Sequence, residues 1–212
     1  MKILTIITFY LFVASSSAQD LDGKWLMTKE GDTYIIPENL ILEINSDSLK
    51  YFSFDQIQSS IPIKIENNNI IINQKQTDIV EFINEDRIKI TSQGKVNDKD
   101  SLIETEYVRL IKTKTKLSPK EIQNLSFNFN WNDEKFKVIF NKELGSPQVK
   151  KIMEKDELRK IHLEKIDTTL FVSIFKSDER ETVIPIKEVS RDKMVLYGTP
   201  RKPYEIIGEK IE

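Results

Sequence analysis

The chain has 212 residues, of which 39% are hydrophobic and 31% are charged, so it can build a core. Its 32 Lys and Arg residues nearly balance its 34 Asp and Glu residues, and a net charge of −2 excludes a basic nucleic-acid-binding protein as a leading interpretation. Cys is absent and His occurs once, which excludes disulfides, thiolate metal sites, cysteine nucleophiles and a His-rich zinc site.

Residues 1–18 have the layout of a secretory signal peptide. Lys2 supplies the positive charge, residues 3–13 are apolar, and Ser16 and Ala18 are the small residues before a cleavage point. The apolar stretch is shorter than the roughly 20 residues of a membrane-spanning helix. We therefore predict cleavage after Ala18 and export to the periplasm, outer surface or medium, with no membrane span. The abundance of Asn, Ile and Lys is typical of AT-rich bacteria.

From Leu21 onward, apolar and polar residues alternate with the period of β-strands. An Asn run at 67–69 interrupts this pattern and predicts a tight hairpin turn, because Asn tolerates positive φ. About eight short strands between 25 and 111 predict an antiparallel meander that closes as a sandwich or a barrel. The apolar members of the alternating runs include Leu40, Leu42, Ile44, Phe52, Phe54, Ile61, Ile63 and Ile65.

Two helix signals interrupt the strands. Ser118, followed by Pro and then by Glu121, is a capping-box signature and predicts a short helix to about Asn124. The polar run 112–116 before it marks a domain boundary. An amphipathic pattern predicts a second helix near 147–159, which either lies on the sheet or forms a lid over a barrel mouth.

Strand patterns return after each helix, so residues 118–212 are predicted to form a second β-rich domain. Trp25 and Trp131 are 106 positions apart, which makes a duplication one interpretation. The pattern leaves open whether the halves are two barrels or share one continuous sheet.

The string Leu21-Asp22-Gly23-Lys24-Trp25 opens the first predicted strand directly after the cleavage point. Gly-x-Trp at the start of an eight-stranded meander resembles the first motif of lipocalins and of bacterial lipocalin-like domains, and the resemblance covers residues 21–113. It implies that Gly23 permits the bend into the strand and that Trp25 fills the closed end of a barrel. It also implies that Arg109 stacks across Trp25 as a structural clamp.

The predicted fold is therefore all-β and mainly antiparallel. A lipocalin-like barrel or curled meander at 21–113 is followed by a smaller β-rich unit at 118–212 with one amphipathic helix.

Residues that could carry a reaction are scattered. His162 alternates with apolar neighbours on a predicted strand, where no motif supplies a nucleophile, and we expect it at the surface or at a sheet edge. No Gly-x-Ser-x-Gly motif and no Gly-rich loop before a helix is present. The loop predicted at 94–100 resembles a calcium site only faintly. We expect no enzyme activity, no cofactor and no metal.

Two functional interpretations remain. In the first, the barrel binds a small hydrophobic molecule at Leu42, Phe52, Phe54, Ile63 and Tyr107. In the second, the same side chains fill the lumen, and the protein is a structural or protein-interaction module. The residues predicted to face inward are Trp25, Met27, Leu42, Ile44, Phe52, Phe54, Ile63, Ile65, Ile72, Tyr107 and Arg109. Those predicted to face outward, where they can bury an inter-domain contact, are Ile41, Ile71, Val108 and Leu110.

Overall fold

The computed structural model describes residues 20–34, 40–73, 76–132, 134–140, 159–176 and 179–211. Within these ranges the chain forms sixteen β-strands and one short helix, and all the named strands pair antiparallel, which confirms the predicted all-β class. The predicted signal peptide and residues 147–158 of the predicted second helix lie outside the described residues. Arg159, at the end of that predicted helix, instead begins a strand.

The first nine strands form one sheet. β1 pairs with β2, β3 and β9, and β3 to β9 pair in sequence, so eight strands close into a barrel. At the closure, Trp25 lies opposite Arg109 and Met27 opposite Tyr107. The strands are β1 (Gly23–Glu30), β2 (Thr33–Tyr34), β3 (Leu40–Ile44), β4 (Ser48–Ser53), β5 (Gln56–Glu66), β6 (Asn69–Ile72), β7 (Gln76–Asn84), β8 (Arg87–Val96) and β9 (Lys99–Arg109).

Two tight turns show how local residues set the barrel hairpins. Asn67 and Asn68 have φ values of 49° and 63°, which confirms the predicted turn between β5 and β6. Asn97 and Asp98 have φ values of 52° and 61° between β8 and β9. The prediction of a loop at 94–100 is therefore wrong. The pairing of β8 with β9 continues to Val96 and Lys99, on either side of a two-residue turn.

Seven further strands and one helix follow. The strand order in the second sheet is β11-β10-β16-β15-β14-β13-β12, and this sheet curls without closing among the described residues. Within the described residues, the two halves are thus a closed barrel and a separate curled sheet that stays open, rather than two barrels or one continuous sheet. The elements are α1 (Pro119–Gln123), β10 (Ser126–Trp131), β11 (Glu134–Ile139), β12 (Arg159–Ile166), β13 (Thr169–Lys176), β14 (Glu179–Val189), β15 (Lys193–Tyr197) and β16 (Glu205–Lys210).

The helix α1 begins as the capping box predicts. The Ser118 hydroxyl accepts a hydrogen bond from the Glu121 backbone N–H, and the Glu121 carboxylate accepts one from the Ser118 N–H at 2.8 Å. Ile122 of the helix is buried in the apolar core of the second sheet, together with Phe127, Phe129 and neighbouring strands. No helix among the described residues is long and apolar enough to cross a membrane.

A third apolar cluster joins the barrel to the second sheet. From the barrel it contains Leu26, Ile41 and Val108, whose neighbours in sequence face the lumen, so these three project outward. From the second sheet it contains Phe171, Val183 and Tyr197 among others. Ile41, Val108 and Leu110 therefore lie in an inter-sheet contact, as predicted, whereas Ile71 is not part of this cluster.

A buried arginine adds polar links to this contact. Arg87 of β8 is only 2% exposed, and its guanidinium donates to the Thr28 hydroxyl at 3.0 Å and to the Thr199 carbonyl at 2.9 Å. It lies 4.1 Å from the centroid of the Tyr204 ring and 3.5 Å from the Glu106 carboxylate. Burial lowers the pKa of Arg87, and Tyr204 and Glu106 partly oppose this shift. These contacts hold the outer wall of the barrel against the second sheet.

The barrel strands end at Arg109 and the second sheet begins at Ser126. The predicted boundary near 113–117 lies in the segment between them. This segment crosses back onto the second sheet, where Thr113 Oγ1 donates to the Ile186 carbonyl at 2.7 Å and the Lys114 N–H donates to Lys187. The division into two independent domains stays a prediction.

Candidate functional site

One end of the barrel is closed by Trp25. Its side chain is fully buried, and its indole N–H donates to the Leu21 carbonyl at 2.9 Å. The guanidinium carbon of Arg109 lies 4.2 Å from the indole centroid, within cation–π range. Arg109 also donates to the carbonyl of Asp22 at 2.6 Å and to that of Asp20. Arg109 therefore ties the segment before β1 across the closed end.

Gly23 makes this arrangement possible. Its φ of +134° lies in the region that side-chain-bearing residues rarely adopt, and a Cβ at this position would lie 3.2 Å from Arg109 Nη1. The structure thus brings together the three residues that the sequence assigns to the clamp, namely Gly23, Trp25 and Arg109. Their functional importance stays a prediction.

Three of the five predicted ligand-binding residues face the lumen. Leu42, Ile63 and Tyr107 belong to the same apolar cluster as Trp25; Leu42 and Tyr107 are buried, and Ile63 is half-buried. Burial raises the pKa of the Tyr107 phenol, which stays neutral. These three side chains therefore lie on one continuous inner wall.

Phe52 and Phe54 lie elsewhere, and their predicted inward orientation is wrong. On β4 the inward residues are Leu49 and Tyr51, so Phe52 projects outward and packs on the inter-sheet cluster. The chain then turns, with Phe54 at a φ of 54°, and its ring meets that of Phe171 edge-on at 5.4 Å. The Arg180 guanidinium carbon lies 4.0 Å from the Phe54 ring centroid. Both aromatic residues hold the two sheets together.

The inner wall is unevenly filled. Around the closed end, Ile44, Leu49, Ile70 and Ile88 are almost completely buried. β5, in contrast, contains no buried residue along its eleven positions. Its inward residues Ile61, Ile63 and Ile65 pack against the inner cluster only in part. Apolar surface is therefore left accessible on this side of the lumen.

A buried carboxylate interrupts the apolar inner wall. Asp78 of β7 is 5% exposed and shares its strand face with Val80 and Phe82, which belong to the inner cluster. Its Oδ1 accepts a hydrogen bond from Gln76 Nε2 at 2.9 Å. Asp78 is not among the site residues predicted from the sequence. The alternation of Asp78, Val80 and Phe82 nevertheless indicates that Asp78 lies on the apolar face.

A cavity of about 600 Å³ opens at the end of the barrel opposite Trp25. It is bounded by the start of β7, the end of β8 and the start of β9, and Gln76 connects it to Asp78. This volume lies within the range of about 300–1,000 Å³ typical of small-molecule pockets. Its lining residues are Gln76, Gln93, Gly94, Lys95, Asp100, Ser101 and Leu102.

His162 and two glutamates of β9 make contacts within the two sheets. His162 lies on β12, at the edge of the second sheet, with its ring 5.1 Å from that of Phe175. Glu104 and Glu106 form ion pairs with Lys89 and with Arg87, respectively. In the described part of the chain, no group of three or more His, Cys, Asp or Glu residues is arranged to hold a metal ion.

No protein-family model matches this chain, and no curated protein is significantly similar to it in sequence.

Proposed function

We propose that this protein is an exported, non-enzymatic binding protein of the lipocalin-like type, and that it holds a small hydrophobic molecule in its barrel. The observation that carries the proposal is the uneven filling of the lumen. Trp25 and its neighbours close one end, while β5 presents Ile61, Ile63 and Ile65 only half-buried on the inner wall. An eight-stranded barrel is wide enough either to be filled by side chains or to hold one small ligand, and the half-buried β5 side supports the second case.

The accessible inner surface determines what such a ligand gains on binding. Tyr51, Ile61, Ile63, Ile65 and Phe82 offer apolar contacts along several neighbouring strands. Removal of about 200 Å² of apolar surface from water contributes about 5 kcal/mol, at roughly 25 cal/mol per Å². A ligand with a hydrophobic body of modest size therefore obtains most of its affinity from this wall.

The alternative is a structural or protein-interaction module without a small ligand. It is favoured by the tight packing around the closed end, where Leu42, Ile44, Leu49, Ile70 and Ile88 have exposures of 2% or less. The two functions differ in whether the β5 side of the lumen accepts a guest.

The experiment begins with protein purified from its own host. Native mass spectrometry, followed by solvent extraction of bound material, should show a reproducible hydrophobic adduct. The stripped protein should then increase the fluorescence of the probe N-phenyl-1-naphthylamine in a saturable manner. Sequencing the N-terminus of the purified protein tests export, because cleavage after Ala18 leaves Gln19 first.

A pair of variants locates the binding site. Ile63→Trp enlarges a half-buried side chain of the inner wall and should weaken probe binding at least tenfold. Ile79 is 57% exposed on the outer face of β7, so Ile79→Trp should leave probe binding unchanged. Equal effects of the two substitutions, or a protein that binds neither adduct nor probe, would favour the interaction module.

A further inference from the structure

Among the described residues, the inner wall of the barrel carries one buried acidic group. Asp78 is 95% buried and faces the lumen, whereas its neighbour Ile79 faces outward and is 57% exposed. Directly opposite Asp78 on β6 is Ile70, which is completely buried. A carboxylate in apolar surroundings is unfavourable unless its charge is compensated.

The protein itself compensates this charge only in part. Gln76 donates one neutral amide hydrogen bond to Oδ1, and Asp78 forms no ion pair with another residue in the described ranges. Oδ2 accepts no hydrogen bond from those residues either. One carboxylate oxygen inside the barrel is thus available to a donor that comes from outside the protein.

Two tyrosines lie near this carboxylate. Burial, and after it the charge of Asp78, raises the pKa of Tyr51. Burial is also the main cause of the raised pKa of Tyr107, with smaller contributions from Tyr51, Glu30 and Asp78. Both side chains belong to the inner cluster. Their rings are apolar and electron-rich surfaces, which favour a cation at short distance.

The carboxylate is also within reach of the cavity at the open end. Gln76 both lines the cavity of about 600 Å³ and donates to Asp78. The two charged lining residues, Lys95 and Asp100, are register partners across β8 and β9, so their charges lie side by side at the rim. Gln76 therefore links the cavity to the Asp78 carboxylate.

We propose that the barrel selects a hydrophobic molecule that carries a protonated amine, with the ammonium group on the Asp78 carboxylate and the apolar body along Tyr51 and Ile63. This inference rests on the proposed binding function and specifies its ligand class. An ammonium group donates the hydrogen bonds and supplies the positive charge that Asp78 lacks. A calcium ion, in contrast, requires six to eight oxygen ligands.

The test uses the full mature protein and three ligands of equal chain length. Decylamine, decan-1-ol and decanoic acid are each titrated against bound N-phenyl-1-naphthylamine at pH 7, and the dissociation constants of the three ligands are compared. Decylamine should bind at least tenfold more tightly than decan-1-ol, and decanoic acid should bind more weakly than either. In Asp78→Asn, which keeps the side-chain shape, the amine and the alcohol should bind with similar affinity.

Asp47→Asn is the matched control, because Asp47 is an exposed carboxylate in the turn between β3 and β4, next to the closed end of the barrel rather than the cavity. The amine preference should persist in this variant, and its loss there would overturn the inference. Equal binding of the three ligands by the unmodified protein overturns the inference but leaves the proposed function intact. Failure of all three to bind overturns both. If Asp78→Asn does not fold, the unmodified protein and Asp47→Asn decide the question without it.

Discussion

The barrel and the second sheet differ in how deeply their strands are buried, as a comparison of β5 with β13 shows. β13 has six consecutive buried residues, Thr169 to Ile174, because one face packs on the core of the second sheet and the other on the inter-sheet cluster. β5 has eleven residues and none of them is buried. β13 is therefore covered on both faces, whereas both faces of β5 stay accessible at least in part.

The closed end of the barrel should be the most sensitive point of the molecule. Trp25→Ala removes a fully buried indole and should lower the free energy of unfolding by about 3–5 kcal/mol, because a cavity remains. Trp131→Ala, at a half-buried position beside the core of the second sheet, should cost clearly less. Urea denaturation of both variants checks the ranking, and the reverse order would contradict the assignment of Trp25 to the barrel core.

Phe54 should stabilise the contact between the barrel and the second sheet without contributing to ligand binding. Phe54→Ala removes a buried ring from between Phe171 and Arg180 and should cost about 3 kcal/mol. The affinity for N-phenyl-1-naphthylamine should stay the same, because Phe54 does not face the lumen. Thermal denaturation and probe titration of this variant separate the two effects. A selective loss of affinity for the probe would indicate that Phe54 faces the lumen.

The entry into β1 should be sensitive to a single methyl group. Gly23→Ala places a Cβ against Arg109 at a φ of +134° and should lower the free energy of unfolding by about 1–3 kcal/mol. Gly31→Ala is the control, because Gly31 also has a positive φ of 54° but no atom within 4 Å of the added Cβ. It should cost about 1 kcal/mol. If the two variants are equally stable, the contact with Arg109 adds nothing to the cost of the substitution at Gly23.

Acidification should affect the second sheet through Glu164. Burial raises the pKa of this carboxyl, but two hydrogen bonds from Arg180, at 2.7 and 2.8 Å, outweigh burial and leave the pKa below its ordinary value. The unfolded state therefore binds more protons, and the contribution of Glu164 to stability is lost as the pH falls below about 4.3. Glu164→Gln should reduce this acid sensitivity by about 1 kcal/mol or less, measured by urea denaturation between pH 3 and pH 7. An unchanged pH profile would show that the pair contributes nothing.

The sequence predicted those features that depend on neighbouring residues. Period-two alternation indicated the strands, the Asn run indicated the turn at Asn67 and Asn68, and Ser118 with Glu121 indicated the cap of α1. The position of Arg109 over Trp25 followed from a family resemblance rather than from spacing. These features depend on backbone conformation and on motifs within a short stretch of sequence.

The orientation of Phe52 and Phe54 could not be predicted in the same way. Alternation shows that two residues share a face, but it does not say which face looks inward. The register shift between Tyr51 and Phe52, together with the apolar surface of Phe171 some 120 residues later, decides the outcome. Asp78 is the opposite case, since its alternation with Val80 and Phe82 was visible in the sequence but was not used.

The order of strands in the second sheet has a consequence for the way the chain folds. β16 lies between β10 and β15, although it follows both of them in sequence. The hairpin of β10 and β11 therefore cannot join β12 to β15 until Glu205–Lys210 has been synthesised and has found its place. Contacts of such large sequence separation form slowly. Nascent chains should thus carry a finished barrel beside an unfinished sheet, with the core around Phe127 and Phe129 exposed until the final strand arrives.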